Sequence, residues 1–151
     1  MPSASPPTDA RLASLHSRID AALPDLVAGR TPSSLYAPVE YVLQGGGKRL
    51  RPIVLLLVSE AFGTSTDRAF PAALAVEVFH NFTLVHDDIM DDAPERRGRP
   101  TVHTRWDVNT AILAGDLMMG LSYRLLSSVD DADHQALFGE IGRASCRERV
   151  F

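Results

Sequence analysis

Four aspartates, Asp87, Asp88, Asp91 and Asp92, stand within six residues at the end of an apolar stretch. On a helix, Asp87 and Asp91 share one face a turn apart, and Asp88 and Asp92 repeat the pair rotated by about 100°. Like charges at that spacing repel by about 0.2–0.5 kcal/mol, so the run adds nothing to helix stability and calls for a cation. Mg²⁺ suits such a face, because it is commonly held by one or two carboxylates while substrate phosphates and water complete its shell. His80 precedes Asp87 by seven residues, which returns it to the same face within about 20°, so His80, Asp87 and Asp91 form one stripe. Taken alone, an acidic run is as readily a solvated helix end, and a single histidine is more often structural.

Two cationic segments flank this stripe. Gly45-Gly46-Gly47-Lys48-Arg49-Leu50-Arg51-Pro52 joins permissive backbone to three cations, one of them the only lysine of the chain, a combination that lets an anion approach closely. A nucleotide-binding P-loop is not the reading, since Val42 stands where the first glycine is required and Arg49 where a Ser or Thr would hold the metal. Arg96-Arg97-Gly98-Arg99-Pro100-Thr101 follows the acids, and arginine offers paired donors to phosphate; by itself it could be a basic surface loop. Acids between two cationic loops are what a magnesium diphosphate requires.

The elements that must position these residues read as helices. Leu12, Leu15, Ile19, Leu23 and Leu26 recur at helical spacing from Asp9 until Gly29. Pro32 opens a second helix at its first turn, carrying Leu35, Val39, Val42 and Leu43 to the glycines. The unbroken run from Ile53 to Val58, extended to Phe62, is expected as a buried helix. Asp67 is the expected N-cap of a long helix through Phe70, Leu74, Val78, Leu84 and Val85 to Asp92, broken by Pro94 and Gly98. Asp107 caps a last helix through Ile112, Leu117, Leu121 and Leu125, with Gly115 and Gly120 suited to close helix approach. No alternating strand with a hairpin turn and no internal repeat is found, so the class is all-α.

Composition bounds the function. The chain has 151 residues, 45% hydrophobic and 23% charged, with a formal net charge of −4 and one cysteine. Its length predicts about one domain. One cysteine excludes an internal disulfide scaffold and a zinc module, and net acidity argues against nucleic-acid binding. No apolar run reaches the roughly 18 residues of a membrane span and the start lacks a signal pattern, so a cytoplasmic protein without stable membrane insertion is expected.

GGGKRLRP, HNFTLVHDDIMDDAPERRGRPT and AILAGD, in this order and spacing, resemble the trans-isoprenyl diphosphate synthases of the polyprenyl synthetase family over roughly Leu35 to Leu126. The resemblance implies the N-terminal part of the isoprenoid synthase helical bundle, truncated, with the active site in a central cavity. It implies Asp87 and Asp91 as Mg²⁺ ligands supported by Asp88, Arg96 on an allylic diphosphate, and Lys48, Arg51, His80 and Arg97 on isopentenyl diphosphate. The implied reaction is head-to-tail prenyl transfer through an allylic carbocation, and the family's full-length proteins imply a homodimer. Phe82 and Thr83, five and four residues before Asp87, occupy the positions that govern product length, and the bulk of Phe82 predicts a short farnesyl or geranylgeranyl product. The alternatives are a class I terpene cyclase, which would not consume isopentenyl diphosphate, and a non-catalytic partner subunit, against which the intact Asp87, Asp91, Lys48 and Arg97 argue.

Domain organisation follows from the same reading. Residues 1–8 are expected as a flexible N-terminus and 9–139 as the N-terminal portion of a single synthase domain. Residues 140–151 resemble the translation of a common sequencing adapter and read as a non-native tail. The family's second aspartate-rich motif is not among these 151 residues, so the chain by itself is expected to be inactive and to expose apolar faces.

Overall fold

The computed structural model describes residues 8–129; residues 1–7 of the expected N-terminus, the last ten residues of the expected 9–139 portion and the segment read as a non-native tail lie outside the described residues, while Thr8 already belongs to the first helix. The elements run α1 (Thr8–Asp25), α2 (Ser33–Leu43), α3 (Leu50–Ala61), α4 (Thr66–Met90), a ribbon of β1 (Glu95–Arg96) and β2 (Arg99–Pro100), α5 (Val102–Arg105) and α6 (Val108–Ser127). The architecture is all-α, as the periodicity predicts. Among the described residues no helix is long and apolar enough to cross a membrane.

α4 is the central helix. It packs most extensively on α6 and then on α3, and it also touches α1, α2 and α5. The core joins Leu15, Ile19 and Leu23 of α1 to Val39 and Leu43 of α2, Leu56 of α3, Val78 of α4 and Met118 of α6. Small residues on α4 (Ala69 and Ala73) and on α6 (Ala111 and Ala114) are buried in the same core; the two helices run antiparallel, with His86 beside Ile112 and Gly115 and Ala75 clustered with Leu126. At Gly115 the His86 imidazole fills the space a side chain would take: a Cβ there would lie 2.3 Å from His86 Nε2, so the ring would have to move. Gly120 does not share the role: nothing lies within 4 Å of a Cβ placed there.

Helix ends show where local signals suffice. Asp107 caps α6 as expected, its Oδ1 accepting the Thr110 N–H at 2.8 Å. Those hydrogen bonds from Thr110, backbone first and hydroxyl second, hold the Asp107 carboxyl below its ordinary range. α4 is capped by Ser65, not Asp67: the serine side chain accepts the Arg68 N–H. Asp67 falls one step inside the first turn, where a negative charge complements the helix dipole, and pairs with Arg18 at 2.7 Å. Pro32 likewise sits at the cap of α2 with extended backbone, one residue before the expected place.

α3 differs from the expected fully buried helix. Ile53 and Leu56 are buried, but Leu50, Val54 and Val58 are 60%, 55% and 50% exposed. An uninterrupted apolar run carries no periodicity, so it cannot tell a helix wrapped by neighbours from one covered on a single side. Ile112, expected on the packed face of α6, is also exposed. The ribbon at 95–100 is a second departure: Arg97 and Gly98 both take positive φ, 54° and 71°, the condition of a tight two-residue hairpin turn. Its sequence signal was the Arg97-Gly98 step, without alternating strands around it.

Candidate active site

The acids stand at the C-terminal end of α4. Asp87 and Asp88 lie in its last turn and are only 8% and 5% exposed. Asp91 caps the helix in helical conformation, its N–H donating to the Asp87 carbonyl at 2.8 Å. Asp91 therefore stays one turn beyond Asp87, and that pair keeps a common face. Asp92 does not complete the second pair, because its φ of 48° turns the chain out of the helix. It stands instead 3.8 Å from His103 Nε2.

Asp88 binds the ribbon. Its Oδ1 accepts Arg96 Nε at 2.8 Å and lies 2.7 Å from Arg96 Nη2, so the support expected of Asp88 is exerted on the arginine. Thr101 closes the connection by donating its hydroxyl to the Ala93 carbonyl at 2.8 Å. On the far side, Tyr41 donates to the Pro100 carbonyl at 2.9 Å, with the Arg99 guanidinium 3.9 Å from its ring centre. Arg96 and Arg97 are thus held between α4 and α2. A cleft lined by Asn81, Val85, Asp88, Arg96, Arg97 and Tyr41 lies beneath them.

The ribbon also meets the glycine loop. Arg97 donates to the Gly46 carbonyl, and a Cβ on Gly47 would stand 2.9 Å from Arg97 Nη1. Gly47 has φ of 142°, so its backbone demands glycine, and a Cβ there would also push on the end of the Arg97 side chain. Burial first, and then the charge of Arg49, pull the Arg97 guanidinium below its ordinary value.

Of the three cations in the loop, two are available. Lys48 and Arg51 are exposed, whereas Arg49 is 3% exposed and turned inward. Its guanidinium reaches Asp20 Oδ1 and Glu77 Oε1, each at 2.7 Å, and donates to the Leu43 carbonyl at 3.2 Å. Asn81, buried beside it, donates to Glu77 at 3.4 Å. This network escaped the sequence reading because its partners lie on α1 and α4, far along the chain. Only the juxtaposition of Arg49 with two flanking cations hinted at an unequal role.

His80 faces the same loop. Arg51 Nη1 donates to His80 Nε2 at 3.2 Å, which requires that nitrogen to be unprotonated. Burial first, then Arg51, pull the His80 pKa below 6.5, with Glu77 acting in the opposite sense and Arg97 and Arg96 adding to the lowering. As pH falls from about 7, the unfolded chain takes up this proton first, so His80 makes the fold lose stability through and below about pH 6.5. Urea unfolding of the wild type is therefore expected to weaken more between about pH 7 and pH 5 than that of His80→Gln. Equal losses in the two proteins would contradict the assignment.

The residues at the product-length positions lie one to two turns earlier on α4. Phe82 is half-buried and makes edge contacts with Phe79 and His86 at ring-centre distances of 5.2 and 4.8 Å. Thr83 spends its hydroxyl on the His80 carbonyl at 2.8 Å.

No group of three or more His, Cys, Asp or Glu side chains able to hold a metal gathers among the described residues. A site built wholly by this stretch of protein is therefore not present there. The donor set fits a different case, in which Asp87 and Asp91 supply two oxygen ligands and a phosphate supplies others, as Mg²⁺ accepts.

Comparison with known proteins identifies the family and the fold. A family model described as polyprenyl synthetase matches residues 32–150, a range that includes residues 140–150 of the adapter-like segment. Geranylgeranyl diphosphate synthase of Methanosarcina mazei is 48% identical over 115 residues, covering 76% of this chain and 36% of the relative. Farnesyl diphosphate synthase of Bacillus subtilis is 46% identical over 99 residues, covering 64% and 33%. The crystal structure of heptaprenyl diphosphate synthase from Staphylococcus aureus superposes with a TM-score of 0.85 at 31% identity, covering 93% of this chain and 44% of that one. The chain spans about a third of the length of the curated relatives it matches.

Proposed function

Since the chain belongs to the polyprenyl synthetase family, we propose that it forms the diphosphate-binding half of a prenyltransferase active site. The reaction is condensation of an allylic diphosphate with isopentenyl diphosphate to a short-chain prenyl diphosphate. One observation carries the reading: Asp87 and Asp91 end α4 beside a ribbon that holds Arg96 through Asp88 and places Arg97 on the glycine loop of Lys48 and Arg51.

The protein's own groups act by position and charge. Asp87 and Asp91 would hold Mg²⁺, which supplies charge neutralisation to a departing diphosphate. Arg96, fixed by Asp88, donates to the allylic diphosphate as its charge grows. Lys48, Arg51 and Arg97 bind the second diphosphate, and His80, kept neutral by its setting, offers a hydrogen bond there without adding to the positive charge. The allylic cation left by ionisation is attacked by the double bond of isopentenyl diphosphate, and the adduct cation gives up a C–H proton to the released diphosphate, which restores the alkene. No protein nucleophile is required.

Calorimetry with inorganic diphosphate tests this on the chain itself. Binding should be saturable, strengthened by Mg²⁺, and insensitive to Mg²⁺ in Asp87→Asn/Asp91→Asn. Binding that ignores Mg²⁺ in the wild type would contradict the metal assignment. Turnover by the 151 residues alone is not expected, because they span about a third of the relatives' length. The active full-length form is expected to be a cytoplasmic homodimer.

Product length is proposed to be fifteen or twenty carbons, with twenty preferred. The relatives named farnesyl and geranylgeranyl synthases support the range, and Phe82 supports the limit. Joined to a complete synthase, Phe82→Ala should shift products to longer chains on thin-layer analysis; an unchanged product spectrum would remove Phe82 from the role.

A further inference from the structure

The glycine loop is tied down by α1, a helix that lies wholly before the family match begins at residue 32. His16 and Asp20, one turn apart, face it together. His16 Nε2 is 2.9 Å from the Gly47 carbonyl, and His16 Nδ1 is 3.2 Å from Asp20 Oδ2. Asp20 then accepts Arg49 Nε through its other oxygen at 2.7 Å. Arg49 adopts left-handed backbone, with φ of 47° and ψ of 32°, a conformation that costs a non-glycine residue about 1 kcal/mol or more. That backbone sends Arg49 inward while its neighbours Lys48 and Arg51 stay exposed. Glu77, 3% exposed, secures the inward guanidinium from α4.

We propose that His16, Asp20, Arg49 and Glu77 form a latch that fixes the glycine loop with Lys48 and Arg51 presented to diphosphate, making all four positioning residues for prenyl transfer. The purpose assigned to the latch rests on the function proposed above; its mechanical part does not. His16 and Asp20 hold the loop at two points, a carbonyl and a guanidinium, so releasing them frees the backbone without removing any group that meets the anion. Arg97 holds Gly46 from the opposite side, so the loop is clamped between α1 and the ribbon.

His16→Ala/Asp20→Asn tests the latch in the whole 151-residue chain, because both side chains are more than a third exposed and surface changes seldom unfold a domain. Three measurements are made: helix content by circular dichroism, nitrogen heteronuclear NOE of Gly45, Gly46 and Gly47, and calorimetric affinity for inorganic diphosphate. The expected result is unchanged helix content, lower NOE values in the loop, and affinity weakened about tenfold. In a Lys48→Ala/Arg51→Ala background, the same pair of changes should weaken binding no further. Unchanged NOE values would overturn the latch. Lowered values with wild-type affinity, or equal weakening in both backgrounds, would overturn its positioning role. If the wild-type chain binds no diphosphate, the proposed function falls and the positioning role with it, while the NOE comparison still decides whether the loop is latched. Should the double variant lose helix content, Asp20→Asn alone is read in the same way.

Discussion

Arg49→Ala is expected to cost about 3–5 kcal/mol of folding free energy, measured by urea unfolding. The substitution removes the partner of Glu77, which is 3% exposed and hydrogen-bonded to Arg49 at 2.7 Å. A buried carboxylate that loses its directly bonded cation bears a desolvation penalty, which Asn81, through one long hydrogen bond, and the more distant Arg97 charge offset only in part. Against a typical stability of about 5–15 kcal/mol, this change alone brings a small helical unit close to unfolding. Replacing both partners, as in Arg49→Met/Glu77→Leu, should recover most of the loss, since apolar side chains of similar volume can substitute for a buried pair. A loss below about 1 kcal/mol in the single variant would show that Arg49 is not the anchor its contacts describe.

The second large effect concerns the acids. In a chimera joining this chain's residues 8–126 to the remaining part of the Methanosarcina mazei geranylgeranyl diphosphate synthase, which is 48% identical over the matched region, Asp87→Ala is expected to lower kcat about a thousandfold. In the proposed reading Asp87 is one of the two carboxylates that would hold the metal, and it stands buried at the end of α4. Asp92→Ala should leave kcat within about threefold, because its backbone turns away from the helix. Equal losses at the two positions would mean that general acidity near the site matters and the shared face of Asp87 and Asp91 does not.

Asp92 illustrates what spacing alone can decide. The four acids drew a metal proposal for Asp87 and Asp91 because repulsion at helical spacing calls for a compensating cation, and their shared face needs only that the helix reach position 91. The repeat through Asp92 needs one further helical residue, and helix termini are where local sequence is least decisive. The N-cap at Asp107 was legible because donor and acceptor are three residues apart. Arg49 was not, since Asp20 and Glu77 are 29 and 28 residues away and three adjacent cations look alike until tertiary contacts distinguish them. α3 shows the same limit in its packing, for its apolar run names a helix without saying how many sides are covered. The roles proposed for individual cations come from the family resemblance, since neither charge nor periodicity could assign them.

The wild-type chimera offers the most direct test of prenyl transfer. It is supplied with labelled isopentenyl diphosphate, an allylic diphosphate and Mg²⁺, and label in longer prenyl diphosphates is counted beside the unaltered relative. The account predicts label incorporation at a rate comparable to that relative. A folded chimera that binds diphosphate yet incorporates no label, under conditions where the relative does, would contradict it.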